Sequence, residues 1–101
     1  MAIAEVSVVP LGTKTPSVSQ YVARALKVLE REKELKYEMT AMGTILEGDL
    51  DRILAVVRKM HEETFGEEVA RVLTTVRIDD RRDKAQGIED KVGSLKRQLQ
   101  K

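Results

Sequence analysis

The chain has 101 residues, which makes one domain (1–101) that buries roughly 60–70% of its unfolded surface and needs no staples. Its 18 basic and 17 acidic residues leave a net charge of +1, which argues against nucleic-acid binding through bulk charge. With no Cys there is no disulfide and no thiolate metal site, and no stretch approaches the ~20 apolar residues of a membrane span.

The N-terminal MAIAEVSVV lacks the basic lead and long apolar core of a signal peptide, so a cytoplasmic protein is expected. Ala2–Pro10 alternates as a first strand, with Ala4, Val6 and Val8 on one face and Ile3, Glu5, Ser7 and Val9 on the other. Leu11–Pro16 reads as a loop. A helix then begins near Thr15–Ser17, with Pro16 suited to a first helical position or Ser17 and Gln20 forming a capping box. Val18, Val22, Ala25, Leu26 and Leu29 form its apolar stripe.

Lys36–Met42 and Thr44–Gly48 read as a hairpin turning at Gly43, where a positive φ is expected. Asp49 is placed to cap a second helix running to about Phe65, with Leu50, Ile53, Leu54, Val57 and Met60 as its buried stripe and Gly66 as its stop. Glu68–Asp79 is the last strand. A charged connector follows, then a one-faced helix over about Ile88–Gln100 that carries Val92, Leu95 and Leu99.

The order is βαββαβ plus a C-terminal helix. Short right-handed connections turn it into an α+β, ferredoxin-like sandwich. Two helices shelter one sheet face only. The other is expected to carry Ile3, Glu5, Ser7, Val9, Glu38, Thr40, Met42, Ile45, Glu47, Val69, Arg71, Leu73, Thr75 and Arg77. That set has too many aliphatics for a wet face and too many polar groups for a core. A second subunit, a polar ligand or cross-strand ion pairs would account for it, and the last helix also needs a surface.

The catalytic motifs are thin. His61 is the only histidine and reads as a solvated helix residue. Asp79, Asp80 and Asp83 are interleaved with Arg77, Arg81, Arg82 and Lys84, which repel a cation, so ion pairs are expected there and no metal site. Ser7, Ser17 and Ser19 have no triad partners, and Gly12 alone is too little for a phosphate loop, although free N–H groups near Ser17 suit an anion. An acylphosphatase of this fold needs an Asn, which the chain lacks. An RNA-binding sheet stacks bases on strand aromatics, and only Tyr37 falls on a predicted strand. The absence of Asn alongside 35% charged residues is also a thermophile-like composition.

Three segments carry a resemblance. The start Ala2-Ile3-Ala4-Glu5-Val6-Ser7-Val8-Val9-Pro10, with Gly12-Thr13 and Ser17-Val18-Ser19-Gln20-Tyr21-Val22, resembles the small YkoF-like thiamine-binding proteins. So do the central Met42–Asp51 and the closing Arg77–Lys84. The resemblance implies a ferredoxin-like subunit assembled as a homodimer or homotetramer through sheet faces and the C-terminal helix. It also implies non-catalytic binding of thiamine or its hydroxymethylpyrimidine part, with no required cofactor. For such a ligand, Glu5 and Glu47 (with Glu38) are candidate partners of the thiazolium cation. Ser7, Thr40, Thr44 and Thr75 are candidates for the pyrimidine edge, and Tyr37 and Met42 for a ring face. The alternative is a structural or regulatory module whose sheet face serves assembly alone.

Overall fold

The computed structural model describes residues 1–14, 19–83 and 88–100. Its elements are β1 (Ala2–Leu11), α1 (Ser19–Glu30), β2 (Lys36–Thr40), β3 (Gly43–Gly48), α2 (Leu50–Thr64), β4 (Arg71–Asp80) and α3 (Ile88–Leu99). The strands form one antiparallel sheet in the order β2-β3-β1-β4, with α1 and α2 on one face. This is the ferredoxin-like arrangement read from the element order.

The core follows from strand alternation. Ala2, Ala4, Val6 and Val8 of β1 are buried, as is Leu46 of β3. Against them pack Ala25 and Leu29 of α1 and Ile53, Val56 and Met60 of α2. These are small or branched side chains at period two on the strands and at helical spacing above them, which lets both helices sit close on the sheet. Glu32 and Glu34, in the connector after α1, pair with Arg52 of α2 at 3.9 and 2.7 Å and tie the two helical segments together.

Several local expectations are revised. Asp49 holds an extended conformation at the α2 N-cap, and its carbonyl accepts the Ile53 N–H at 2.9 Å, but its side chain makes no capping bond. Gly43 does not have positive φ. The hairpin is closed instead by Thr40, whose hydroxyl donates to the Gly43 carbonyl at 2.9 Å and accepts the Met42 N–H at 3.3 Å. Gly43 is needed for another reason: a Cβ there would stand 2.7 Å from the Val6 carbonyl oxygen.

Gly66 does not stop α2 in a left-handed conformation. It pairs with Val69 in a small turn, which delays β4 to Arg71 and buries Val69 away from the open sheet face. His61 is half-buried, not solvated: its Nδ1 lies 2.7 Å from the Thr74 hydroxyl, and Phe65 meets its ring edge-on. The expected start of the first helix at Thr15–Ser17, and the anion position near Ser17, lie outside the described residues.

The open face is organised in rows. Lys36, Glu47, Ile3 and Asp79 form one row across all four strands; Glu38, Ile45, Glu5 and Arg77 form the next. The first turns of α3 bridge the outer ends of the first row. Glu89 pairs with Lys36 at 3.0 Å, and Lys91 pairs with Asp79. Beyond that anchor the helix is uncovered: Leu95 and Leu99 are 65% and 84% exposed.

Candidate functional site

A concavity among the described residues lies on the helix side of the sheet. It is a cavity of about 290 Å³ between α1 and the β2–β3 hairpin. Its floor is Val6, Val8 and Thr44; Val22 and Leu26 of α1 and Met60 of α2 form the roof, and Met39 and Met42 flank the hairpin side. The space exists because three elements bring little volume to one place. Ala25, Ala41 and Gly43 line it, and none of them can fill it.

The chemistry of the walls is simple. No described lining residue carries a charge. Three methionines give flexible, polarizable surfaces suited to a flat ring. Thr44 is 5% exposed and brings a hydroxyl-bearing side chain to the cavity floor. Its hydroxyl can both donate and accept a hydrogen bond at the edge of a ligand.

The structure divides the eight candidate residues between two faces. Ser7, Thr40, Met42 and Thr44 meet at the cavity. Ser7 contributes main chain there, because its place opposite Thr75 aims its hydroxyl to the open face. The Thr40 hydroxyl is engaged in the hairpin turn, and Met42 stands 83% exposed at the rim. Tyr37 is on the helix side of edge strand β2, opposite Leu46, and does not line the cavity.

Glu5, Glu47 and Thr75 belong to the open face. Glu5 faces Arg77 across β1 and β4 with 3.8 Å between their charged atoms. Glu47 is distinctive there: its Oε2 is shielded from solvent and has no hydrogen-bond partner among the described residues. A shallow cavity of about 250 Å³ on the same face is lined by Ile3, Glu5, Arg77, Asp79 and Lys91.

Sequence reasoning missed Val22, Ala25, Leu26, Met39 and Met60 as site residues. Val22, Ala25, Leu26 and Met60 read as core by helical periodicity, and Ala25, Leu26 and Met60 do pack in or against it, whereas Met39 is largely exposed. The acidic run resolves into ion pairs as expected: Arg82 with Asp80 at 3.0 Å, Lys91 with Asp79, and Arg81 forked onto Asp83 at 2.6 and 2.9 Å. The Asp83 hydrogen bond and charge raise the already high pKa of the Arg81 guanidinium. No cluster of His, Asp and Glu among the described residues converges as a metal site, and no described helix is long and apolar enough to cross a membrane.

A ferredoxin-like subunit with an uncharged, ring-sized cavity beside its edge hairpin has the form of a small-molecule-binding module. The chain belongs to the thiamine-binding protein family, whose model matches residues 4–96. It is 48% identical to the UPF0045 protein YqgV of Bacillus subtilis, over 99% of each chain. Among solved structures it is similar to MJ1052 of Methanocaldococcus jannaschii, with TM-score 0.85, 43% identity, and coverage of 94% of this chain and 95% of that one. The fold also matches TM0486 of Thermotoga maritima, a candidate thiamine biosynthesis/salvage protein (TM-score 0.76, 21% identity, 93% and 97% covered).

Proposed function

We propose that this protein binds the aminopyrimidine ring of thiamine, or hydroxymethylpyrimidine itself, in the cavity beside the β2–β3 hairpin, without catalysing a reaction on it. One observation carries the reading. In a chain of the thiamine-binding family, Thr44 lies on the floor of an uncharged, largely apolar cavity. At about 290 Å³ the cavity is at the lower end of the ~300–1,000 Å³ of small-molecule pockets, so it suits one ring with its substituents better than two.

Charge supports the same division of the ligand. A thiazolium cation placed among uncharged walls would lose its hydration with no counter-ion, which is costly. The neutral pyrimidine enters, its ring between methionines and one edge on Thr44, and the thiazolium of whole thiamine stays at the mouth. The protein then acts as a carrier, buffer or sensor in the cytoplasm.

Isothermal titration with thiamine and with hydroxymethylpyrimidine tests this. Heat from both, weakened for both by Thr44→Val, is the expected result. Absence of heat and of thermal stabilisation at millimolar ligand would overturn it.

The open face favours a second, compatible reading, self-association. Leu73 is 55% exposed and Val9 37%, beside the bare apolar stripe of α3. A second copy laid over that face, with α3 folded against it, would shelter both in a homodimer or homotetramer. If ligand titrations are silent while the chain associates, assembly alone is the role of the sheet face.

A further inference from the structure

We infer that a second face of α1 carries a separate binding site, for a zwitterionic α-amino acid, between Arg24 and the carboxylates of Glu67 and Glu68. The inference is independent of binding beside the hairpin, because the two cavities share no lining residue.

The starting point is a polar cavity of about 540 Å³ between the first half of α1 and the turn that follows α2. Its size falls within the ~300–1,000 Å³ of small-molecule pockets. Gln20, Tyr21, Arg24, Glu67 and Glu68 line it. Glu67 and Glu68 are the two tip residues of a turn closed by both of its end residues. The Val69 N–H donates to the Gly66 carbonyl at 3.1 Å, and the Gly66 N–H donates to the Val69 carbonyl at 3.4 Å. The backbone beneath both carboxylates is therefore held in place.

Tyr21 keeps the opposite charges apart. It is buried, its hydroxyl donates to Glu68 Oε2 at 2.8 Å, and the Arg24 guanidinium carbon lies 5.2 Å from its ring centre. The ring face attracts the cation while the hydroxyl holds the anion. Gly66 leaves room for the arginine, since a Cβ there would stand 2.9 Å from Arg24 Nη1. Held in this way, Arg24 joins neither Glu67 nor Glu68 in any ion pair among the described residues, although all three line one cavity. Charge then selects the ligand. A simple anion drawn to Arg24 meets two carboxylates, and a simple cation drawn to the carboxylates meets Arg24. A molecule with both charges a few bonds apart satisfies both walls. In an α-amino acid the carboxylate matches the planar guanidinium fork, and the ammonium offers three donors to the glutamate oxygens. With one cation against two anions, the site favours a basic amino acid over an acidic one.

Amide NMR of the full chain, titrated with L-arginine, L-alanine and L-glutamate, tests this. Shifts at Arg24 and at the turn from Gly66 to Val69 are expected, with arginine the tightest and glutamate the weakest. N-acetylalanine lacks the ammonium and alaninamide lacks the carboxylate, and each should bind about fivefold or more weakly than alanine. Arg24→Gln and Glu67→Gln, both at exposed positions, should each weaken alanine binding by about fivefold or more. If Arg24→Gln disturbs the packing on Tyr21, Glu67→Gln in the exposed turn carries the test. Absence of shifts with all three amino acids at millimolar concentration would overturn the site. So would equal binding of either blocked derivative, glutamate binding ahead of arginine, or undiminished binding in Glu67→Gln. A silent hydroxymethylpyrimidine titration leaves each of these outcomes unaffected.

Discussion

Gly43 and the Val6 carbonyl approach so closely that a methyl group on Gly43 would stand 2.7 Å from that oxygen. The contact holds the hairpin against β1 at the same place where the cavity opens. Gly43→Ala must push β3 away from backbone, which cannot yield as a side-chain tip can. A loss of about 1–3 kcal/mol in urea unfolding is expected, in the range of overpacked sites.

Thr44→Val separates fold from binding. Valine keeps the shape of threonine and removes the one hydroxyl on the cavity floor that is not engaged in the hairpin turn. The stability of the unliganded protein should change by less than ~1 kcal/mol in either direction. Affinity for hydroxymethylpyrimidine should fall about five- to fifteen-fold, the worth of one hydrogen bond, as read by titration calorimetry.

Thr74→Val should behave in the opposite way. The Thr74 hydroxyl is engaged with His61 Nδ1 at 2.7 Å, between α2 and β4. Its removal leaves a half-buried ring nitrogen unpaired and should cost about 0.5–1.5 kcal/mol in chemical denaturation, with ligand affinity unchanged.

Glu47→Gln probes the shielded carboxylate oxygen on the open face. Oε2 has no partner among the described residues, so an amide at this place loses no bond there and lowers the desolvation cost. Stability equal to or above that of the parent chain is expected in thermal melts. A loss above 1 kcal/mol would mean that the carboxylate charge is needed in the fold.

Leu73→Asp tests the open face. Leu73 is more than half exposed in the single chain, so its own fold should tolerate the change within ~0.5 kcal/mol. Association should fall sharply in sedimentation, because a charge is placed where a second copy would bury a leucine.

The backbone plan was largely legible. β1 shows its two faces in the alternation of Ala4, Val6 and Val8 with Glu5 and Ser7, and the sheet keeps that division. The site was legible only in part. The hydroxyl of Thr44 and the flexible side chain of Met42 stand out in the sequence, and both residues line the cavity. Tyr37 and Glu38 are neighbours on one strand and so face opposite sides, Tyr37 toward the helices and Glu38 toward the open face, and one ligand cannot meet both side chains on one face.

The cavity itself could not be read from local pattern. It is made by missing volume at Ala25, Ala41 and Gly43, which come from a helix, a turn and a strand. Periodicity marks each as small or inward, but not that their absences coincide. Asp49 shows the same limit at smaller scale. Its residue type suits a cap, whereas its observed rotamer leaves the capping bond unmade.

The two ion pairs at the foot of α3 have a mechanical consequence. Both are exposed, and at 1 M salt the reach of such charges shrinks to ~3 Å. The buried layer beneath has no comparable dependence. Ionic strength therefore acts as a hinge control: brine should let the terminal arm swing while the body stays intact, so that hydrodynamic shape changes without a change in melting behaviour.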